Sequence, residues 1–288
     1  MRYQSAADFR TALEARLATQ AREEGIDLQR LRKRVVFERM LVRLEKAQPG
    51  RWVLKGGVAL EVRLRERARA TRDLDLALRE DARDGDGVRD GLIEALIADP
   101  DGDGFTFEVS PAQALRADTA GRPGWRFSVR CSLAGRVFDQ VRVDVVARLD
   151  ETDRTERLPL PGSLSFAQIP TGDVEVVSPA QHFAEKLHAL TRTYGDRPSS
   201  RTRDLVDLAI LIEERLVTTE AISPAVEGVF GSRGTHPVPV EIPDPPAGWK
   251  EDYAGMAEEL DIDAKTIDDA MHLVRQFWSK ALASTPRR

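Results

Sequence analysis

Apolar residues recur at helical spacing near both ends of the chain and at strand spacing through its middle. Phe9, Leu13 and Leu17 make one stripe over residues 6–24, and Leu28, Leu31, Val35, Leu41 and Leu44 make a second over 28–46, which predicts two amphipathic helices. Trp52, Val53 and Leu54 then read as a short buried strand, and Gly56-Gly57 allows a tight turn into a helical run over 58–66. The segment Asp73-Leu74-Asp75-Leu76-Ala77-Leu78 alternates with period two, so its leucines face a core while Asp73 and Asp75 share the opposite face. A polar loop over 81–87, a short helix ending near Asp99-Pro100 and a strand through Phe105, Phe107 and Val109 follow. Residues 125–133 and 137–147 predict a hairpin about Ala134-Gly135, with Val141, Val143 and Val145 on one face of its second strand and Arg142, Asp144 and Val146 on the other.

Residues 148–177 are rich in proline and glycine and read as a loop-rich passage to a helical second half. Ser178-Pro179 is a helix start, with Phe183, Leu187 and Leu190 inward and His182 and Lys186 on a neighbouring stripe. The next helix, about 201–214, packs through Leu205, Leu208 and Ile212, and Asp204 and Asp207 share a different face. A proline-rich wrap from Thr235 to Trp249 precedes helices near 250–259 and 263–284. These elements predict an α/β (α+β) chain with two domains: residues 1–150, helices and a core with a mixed sheet, and residues 151–288, mostly helical with the proline-rich wrap.

Composition narrows the class. The 288 residues are 41% hydrophobic, enough for a sizeable core, and no apolar run of membrane-spanning length or secretory leader is visible, so a cytoplasmic protein without a membrane partner is expected. The single Cys131 lies in an apolar-alternating run and reads as a buried structural thiol. The four histidines offer no pair at metal-ligand spacing on one helix face, which argues against zinc. Asp99-Pro-Asp-Gly-Asp103-Gly104 matches the opening of a calcium loop, but Ser110 stands where that loop needs its bidentate Glu. It reads as an acidic turn between helix and strand.

Net charge is −5, yet two segments are locally basic. Arg51 to Arg72 carries seven basic residues against two acidic ones, and Lys186 to Arg203 carries five against one. For the first, an anion-binding patch and a solvated helical face are both open. Lysine is scarce, which makes Lys55 and Lys186 look selected for a compact ammonium.

The chemistry these residues suit is transfer of phosphate-bearing groups. A helix that opens on Gly56-Gly57 offers amides and close backbone approach to a phosphate. Two carboxylates about 7 Å apart on one strand face suit hard divalent cations. Asp144, polar on an otherwise valine-rich strand, is either a third carboxylate of that set or an acid on the wet face of a hairpin. Thr71, two residues before Asp73, reads either as an ordinary strand-entry residue or as a place where a phosphate would repel nucleotide and cation.

Leu54-Lys55-Gly56-Gly57-Val58-Ala59-Leu60, Thr71-Arg72-Asp73-Leu74-Asp75-Leu76, Ala184-Glu185-Lys186-Leu187-His188-Ala189 and Arg203-Asp204-Leu205-Val206-Asp207-Leu208 occur in this order. Together they resemble the AbiEii family of bacterial toxins, and within it the MenT-type toxins of actinobacteria, to which Arg233-Gly-Thr-His-Pro237 is also similar. The resemblance implies a DNA polymerase β-like nucleotidyltransferase core and toxicity through adding nucleotides from NTP to the 3′ acceptor end of tRNA, which blocks aminoacylation. It implies a cognate antitoxin, and Mg²⁺ or Mn²⁺ on Asp73 and Asp75, with Asp144 left open. Lys186 and Asp207 would complete the catalytic set. Lys55, Gly56, Gly57, Thr71, Arg72 and Lys186 would meet the nucleotide, and Arg197 and Arg201 the RNA. The match departs from the superfamily in opening its helix with Gly-Gly rather than Gly-Ser and in the fifteen residues between Gly57 and Asp73. A kinase or protein-nucleotidylating enzyme on the same core, or a catalytically silent nucleotide-binding module, are the alternatives.

Overall fold

The computed structural model describes residues 3–82, 84–115, 122–147, 152–193 and 201–284, with only the backbone of Glu66. These residues fall into two compact units that divide between Val176 and Val177. The first opens with α1 (Ala6–Glu24) and α2 (Leu28–Ala47), capped by Ser5 and Asp27, whose side chains accept the amides of Asp8 and Arg30. Then come β1 (Trp52–Lys55), α3 (Gly56–Leu64), β2 (Asp73–Leu78), α4 (Gly85–Ile97), β3 (Phe105–Val109), the two-residue β4 (Gln113–Ala114), β5 (Gly124–Leu133) and β6 (Arg136–Ala147). β7 (Thr155–Pro159) and β8 (Asp173–Val177) lie in the stretch expected to be loop-rich. They are strands of the same sheet, short enough for their proline and glycine flanks to mask them.

The eight-stranded sheet runs β3-β5-β6-β2-β1-β8-β7, with β4 on β5. It is mixed: β2 pairs parallel to β6 and β1 parallel to β8, while β1–β2 and the β5–β6 hairpin are antiparallel. One face is apolar, with Leu74, Leu76, Val141, Val143, Val145, Phe127 and Val129 buried together with Phe9, Leu13 and Leu17 of α1 and Val35, Met40 and Leu44 of α2. Cys131 is wholly buried there, and desolvation pushes its thiol pKa up.

α2 is not the simple amphipathic helix its stripe predicts, because Glu38, Arg39 and Arg43 on its other faces are buried as well. Their partners explain the acidic turn. Arg39 Nε lies 2.6 Å from Asp103 Oδ2 and its Nη2 2.7 Å from Asp101 Oδ2; Arg43 holds the other Asp103 oxygen, and Lys46 reaches Asp101. Asp99 in turn accepts the amides of Asp103 and Gly104 at 2.9 Å. The calcium-like motif is thus an arginine-clamped turn.

The second unit holds α5 (Pro179–Thr191), α6 (Thr202–Glu213), α7 (Thr219–Arg233), α8 (Trp249–Glu259) and α9 (Ile267–Ser284). α7 was not predicted, since Pro224 and two glycines dilute its signal, although Ile222, Ala225, Val226, Val229 and Phe230 make a full helical stripe. Among the described residues, no helix is long and apolar enough to cross a membrane.

Candidate functional site

In the first unit the site residues are placed by strand register. Asp73 and Asp75 sit on the polar face of β2, and the parallel neighbour β6 sets Arg142 beside Asp73 and Asp144 beside Asp75. Three carboxylates therefore share one sheet face on adjoining strands. Across the antiparallel pair on the other side, Lys55 stands opposite Asp75 and is 5% exposed.

α3 begins at Gly56, two residues earlier than its pattern suggests, and no side-chain oxygen caps it. Gly56 has φ +63, and a Cβ there would fall 1.9 Å from Asp75 Oδ2. A Cβ on Gly57 would fall 2.7 Å from Thr71 Oγ1. The sequence suggested that both glycines leave room for a phosphate. In the structure the space of the missing side chains is filled by Asp75 and Thr71, and this contact packs the turn against the carboxylate strand. Thr71 is fixed further, its amide donating to Glu61 Oε1 at 3.3 Å from within α3. Burial pushes the Glu61 carboxyl pKa up, against the pull of Arg34 and Arg30.

The carboxylates face guanidinium groups that the sequence did not single out. Arg126 on β5 donates Nε and Nη2 to the two oxygens of Asp144 at 2.8 and 2.7 Å, and Arg142 donates to those of Asp73 at 2.6 and 3.2 Å. Hydrogen bonding to Asp144 raises the pKa of Arg126, with Asp73 and Asp75 adding to it. Arg142 was visible as a polar position beside Asp144, but Arg126 reaches it only through the β5–β6 register. As donors the three acids suit a hard divalent cation. Among the described residues, no three acidic, histidine or cysteine side chains converge as a formed metal site, and arginines stand in as the cations at Asp73 and Asp144.

The basic stretch around the turn is partly committed elsewhere. Arg51 pairs with Glu80 at 2.6 Å, Arg63 with Glu156, and Arg65 donates to the carbonyl of Pro159 at 3.1 Å. The partners of these three are acids and a carbonyl of the same unit.

In the second unit Lys186 on α5 lies 2.7 Å from Asp207 Oδ2 and 2.9 Å from Asp204 Oδ1 on α6. Asp207 is fully buried. Asp204 belongs to this cluster and was missed as a site residue, although its i, i+3 spacing from Asp207 was the available signal. Arg201 lies 3.5 Å from Asp204, and Arg197 lies outside the described residues. The Arg233–Pro237 motif docks on α5: Thr235 Oγ1 is 2.7 Å from His188 Nε2, and His236 Nε2 is 2.9 Å from Thr191 Oγ1.

A family model for the nucleotidyl transferase AbiEii toxin of type IV toxin–antitoxin systems matches residues 39–280. No curated protein matches. Among solved structures the chain is similar to MenT4, a nucleotidyltransferase toxin from Mycobacterium tuberculosis H37Rv, at 22% identity and a TM-score of 0.60, covering 95% of this chain and 90% of that one. An antigenic nucleotidyltransferase-like protein from Paracoccidioides brasiliensis aligns at 14% identity and a TM-score of 0.41, over 72% and 89% of the two chains. MenT4 supports the nucleotidyltransferase fold, and the model match, which spans most of the sequence, establishes that this chain belongs to the AbiEii family of nucleotidyltransferase toxins.

Proposed function

We propose that the chain is a Mg²⁺- or Mn²⁺-dependent enzyme that transfers nucleotides from NTP to the 3′ acceptor end of tRNA in the cytoplasm, and so blocks aminoacylation. The observation that carries this reading is the placement of Asp73, Asp75 and Asp144 on one open sheet face, with Asp75 packed against Gly56 at the start of α3. Asp73 and Asp75 would hold the cation, with Asp144 as the third oxygen donor. Bound there, it would lower the pKa of the attacking hydroxyl and neutralise charge on the α-phosphate and the leaving pyrophosphate. The first-turn amides of α3 would meet phosphate oxygens at the positive end of the helix. Lys186 would supply an ammonium to the nucleotide, its direction fixed by Asp204 and Asp207. Lys55, Thr71 and Arg72 would border the nucleotide, and Arg197 and Arg201 would meet the RNA. A toxin of this family acts beside an antitoxin.

The test is incubation with total tRNA and each α-labelled nucleoside triphosphate in turn, followed by 3′-end sequencing. Extension of tRNA by one nucleotide type or more is expected. Unextended RNA with all four would defeat the tRNA assignment, and label moving only from the γ position would replace nucleotidyl transfer with kinase chemistry.

A further inference from the structure

The arginines that hold Asp73 and Asp144 stand among three neighbouring carboxylates and are part-exposed, unlike the buried Arg39 and Arg43 of the clamped turn. We propose that Arg126 and Arg142 are exchangeable counter-ions, which neutralise Asp144 and Asp73 until a divalent cation takes those carboxylates, and then bind phosphates of the RNA acceptor strand along the open sheet face. The proposal rests on the nucleotidyl-transfer reading.

Competition for the carboxylates comes first. Each guanidinium occupies both oxygens of its aspartate, with four donor–acceptor distances between 2.6 and 3.2 Å. A divalent cation needs the same lone pairs at about 2.0–2.1 Å, so the two kinds of partner exclude each other there. Three carboxylates side by side would also repel one another with no cation present, and the two arginines reduce their combined charge from −3 to −1. Neither arginine is locked. The Arg126 and Arg142 side chains are 36% and 50% exposed, against 0% and 1% for Arg39 and Arg43 in the clamped turn, so solvent is available to a guanidinium that turns away.

The surroundings indicate where they would turn. In the β5–β6 register Arg126 lies opposite Asp144, Ser128 opposite Arg142, and Arg130 opposite Gln140, so a polar and basic strip leads from the carboxylates toward the outer part of the hairpin. Gln140 is tied to Ser128 at 2.6 Å, and Arg130, 53% exposed, lies 3.5 Å from the exposed Glu108. Asp139, the remaining acid on β6, is held by Lys33. The guanidinium fork matches phosphate oxygens in two-point contact. An acceptor strand whose 3′ hydroxyl meets the carboxylates would run its last phosphates over this strip.

The experiment uses the full chain with Arg126→Gln and Arg142→Gln, singly and together, checked for folding by thermal unfolding. Arg→Lys variants at both positions keep the charge without the two-point fork and serve if the glutamine forms do not fold. Mn²⁺ affinity, read by electron paramagnetic resonance without nucleotide or RNA, should tighten about fivefold for each arginine removed, the equivalent of an exposed ion pair at the top of its usual range. Affinity for total tRNA should rise with Mn²⁺ in the unaltered chain, and this gain should vanish in the double variant while NTP affinity stays the same. Unchanged or weaker Mn²⁺ binding in the variants would overturn the competition, and a retained Mn²⁺-dependent gain in tRNA affinity would overturn the phosphate role. Both readouts are binding measurements, so this proposal can fail with label transfer intact, whereas failure of the transfer reading shows as missing incorporation.

Discussion

Two arginine–aspartate clusters in the sheet-bearing unit share their chemistry and differ in setting. Beside α2, Arg39 and Arg43 meet Asp101 and Asp103 with no more than 3% side-chain exposure on any of the four. On the open sheet face, Arg126 and Arg142 meet Asp144 and Asp73 with each partner at least 16% exposed. In the first cluster every partner is also tied to backbone or to further charges, as where the Phe105 amide donates to Asp103 at 2.9 Å and Arg43 to the Leu96 carbonyl at 2.7 Å. The difference teaches that an acid–arginine pair is not by itself a sign of function. A pair buried and tied to backbone fixes a turn, whereas a pair left open beside further carboxylates retains the capacity to change partners.

The sharpest way to break this distinction is Asp103→Ala. It leaves Arg39 and Arg43 buried with a partner missing and should cost roughly 3–5 kcal/mol of stability, read by urea unfolding. Asp144→Ala on the open face should cost no more than about 1 kcal/mol. Equal losses would erase the contrast.

The Lys186 cluster provides an intermediate case. Asp204→Asn removes one of two carboxylates on the lysine while Asp207 remains, so transfer should fall roughly ten- to hundredfold with little change in thermal unfolding. Unaltered transfer would remove Asp204 from the positioning set.

The smallest expected effect is on acid stability. Burial alone would raise the Asp101 carboxyl pKa, but hydrogen bonds from Lys46 and Arg39 outweigh it, and the folded pKa lies below the ordinary 3.8. The folded state therefore gains stability from this group above about pH 3.8 and loses it as pH falls through the folded value. Asp101→Asn should flatten the stability–pH curve in that window, as followed by tryptophan fluorescence. A curve of unchanged steepness would count against the clamp.

Much of this could be read along the chain. Period-two alternation placed Asp73 and Asp75 on one face of β2, and the glycine pair marked the turn into α3, because both signals are local. What escaped depends on register or on neighbours distant in sequence. Arg126 meets Asp144 only once β5 is paired with β6, and the Asp99–Gly104 turn looks like a calcium loop until Arg39 and Arg43 are brought to it from α2. β7 and β8 were hidden by their brevity among prolines and glycines, and α7 by Pro224. At the glycines themselves the chain could not show that Asp75 and Thr71, one strand away, fill the space beside them.

The central claim, that the open-face carboxylates perform the transfer, is tested most directly by Asp75→Ala, measured for incorporation of α-labelled nucleotide into tRNA alongside thermal unfolding of the same preparation. Transfer should fall on the order of a thousandfold while the unfolding temperature stays near that of the unaltered chain. Full incorporation by the folded variant, or undiminished incorporation by the unaltered chain in excess EDTA, would contradict it.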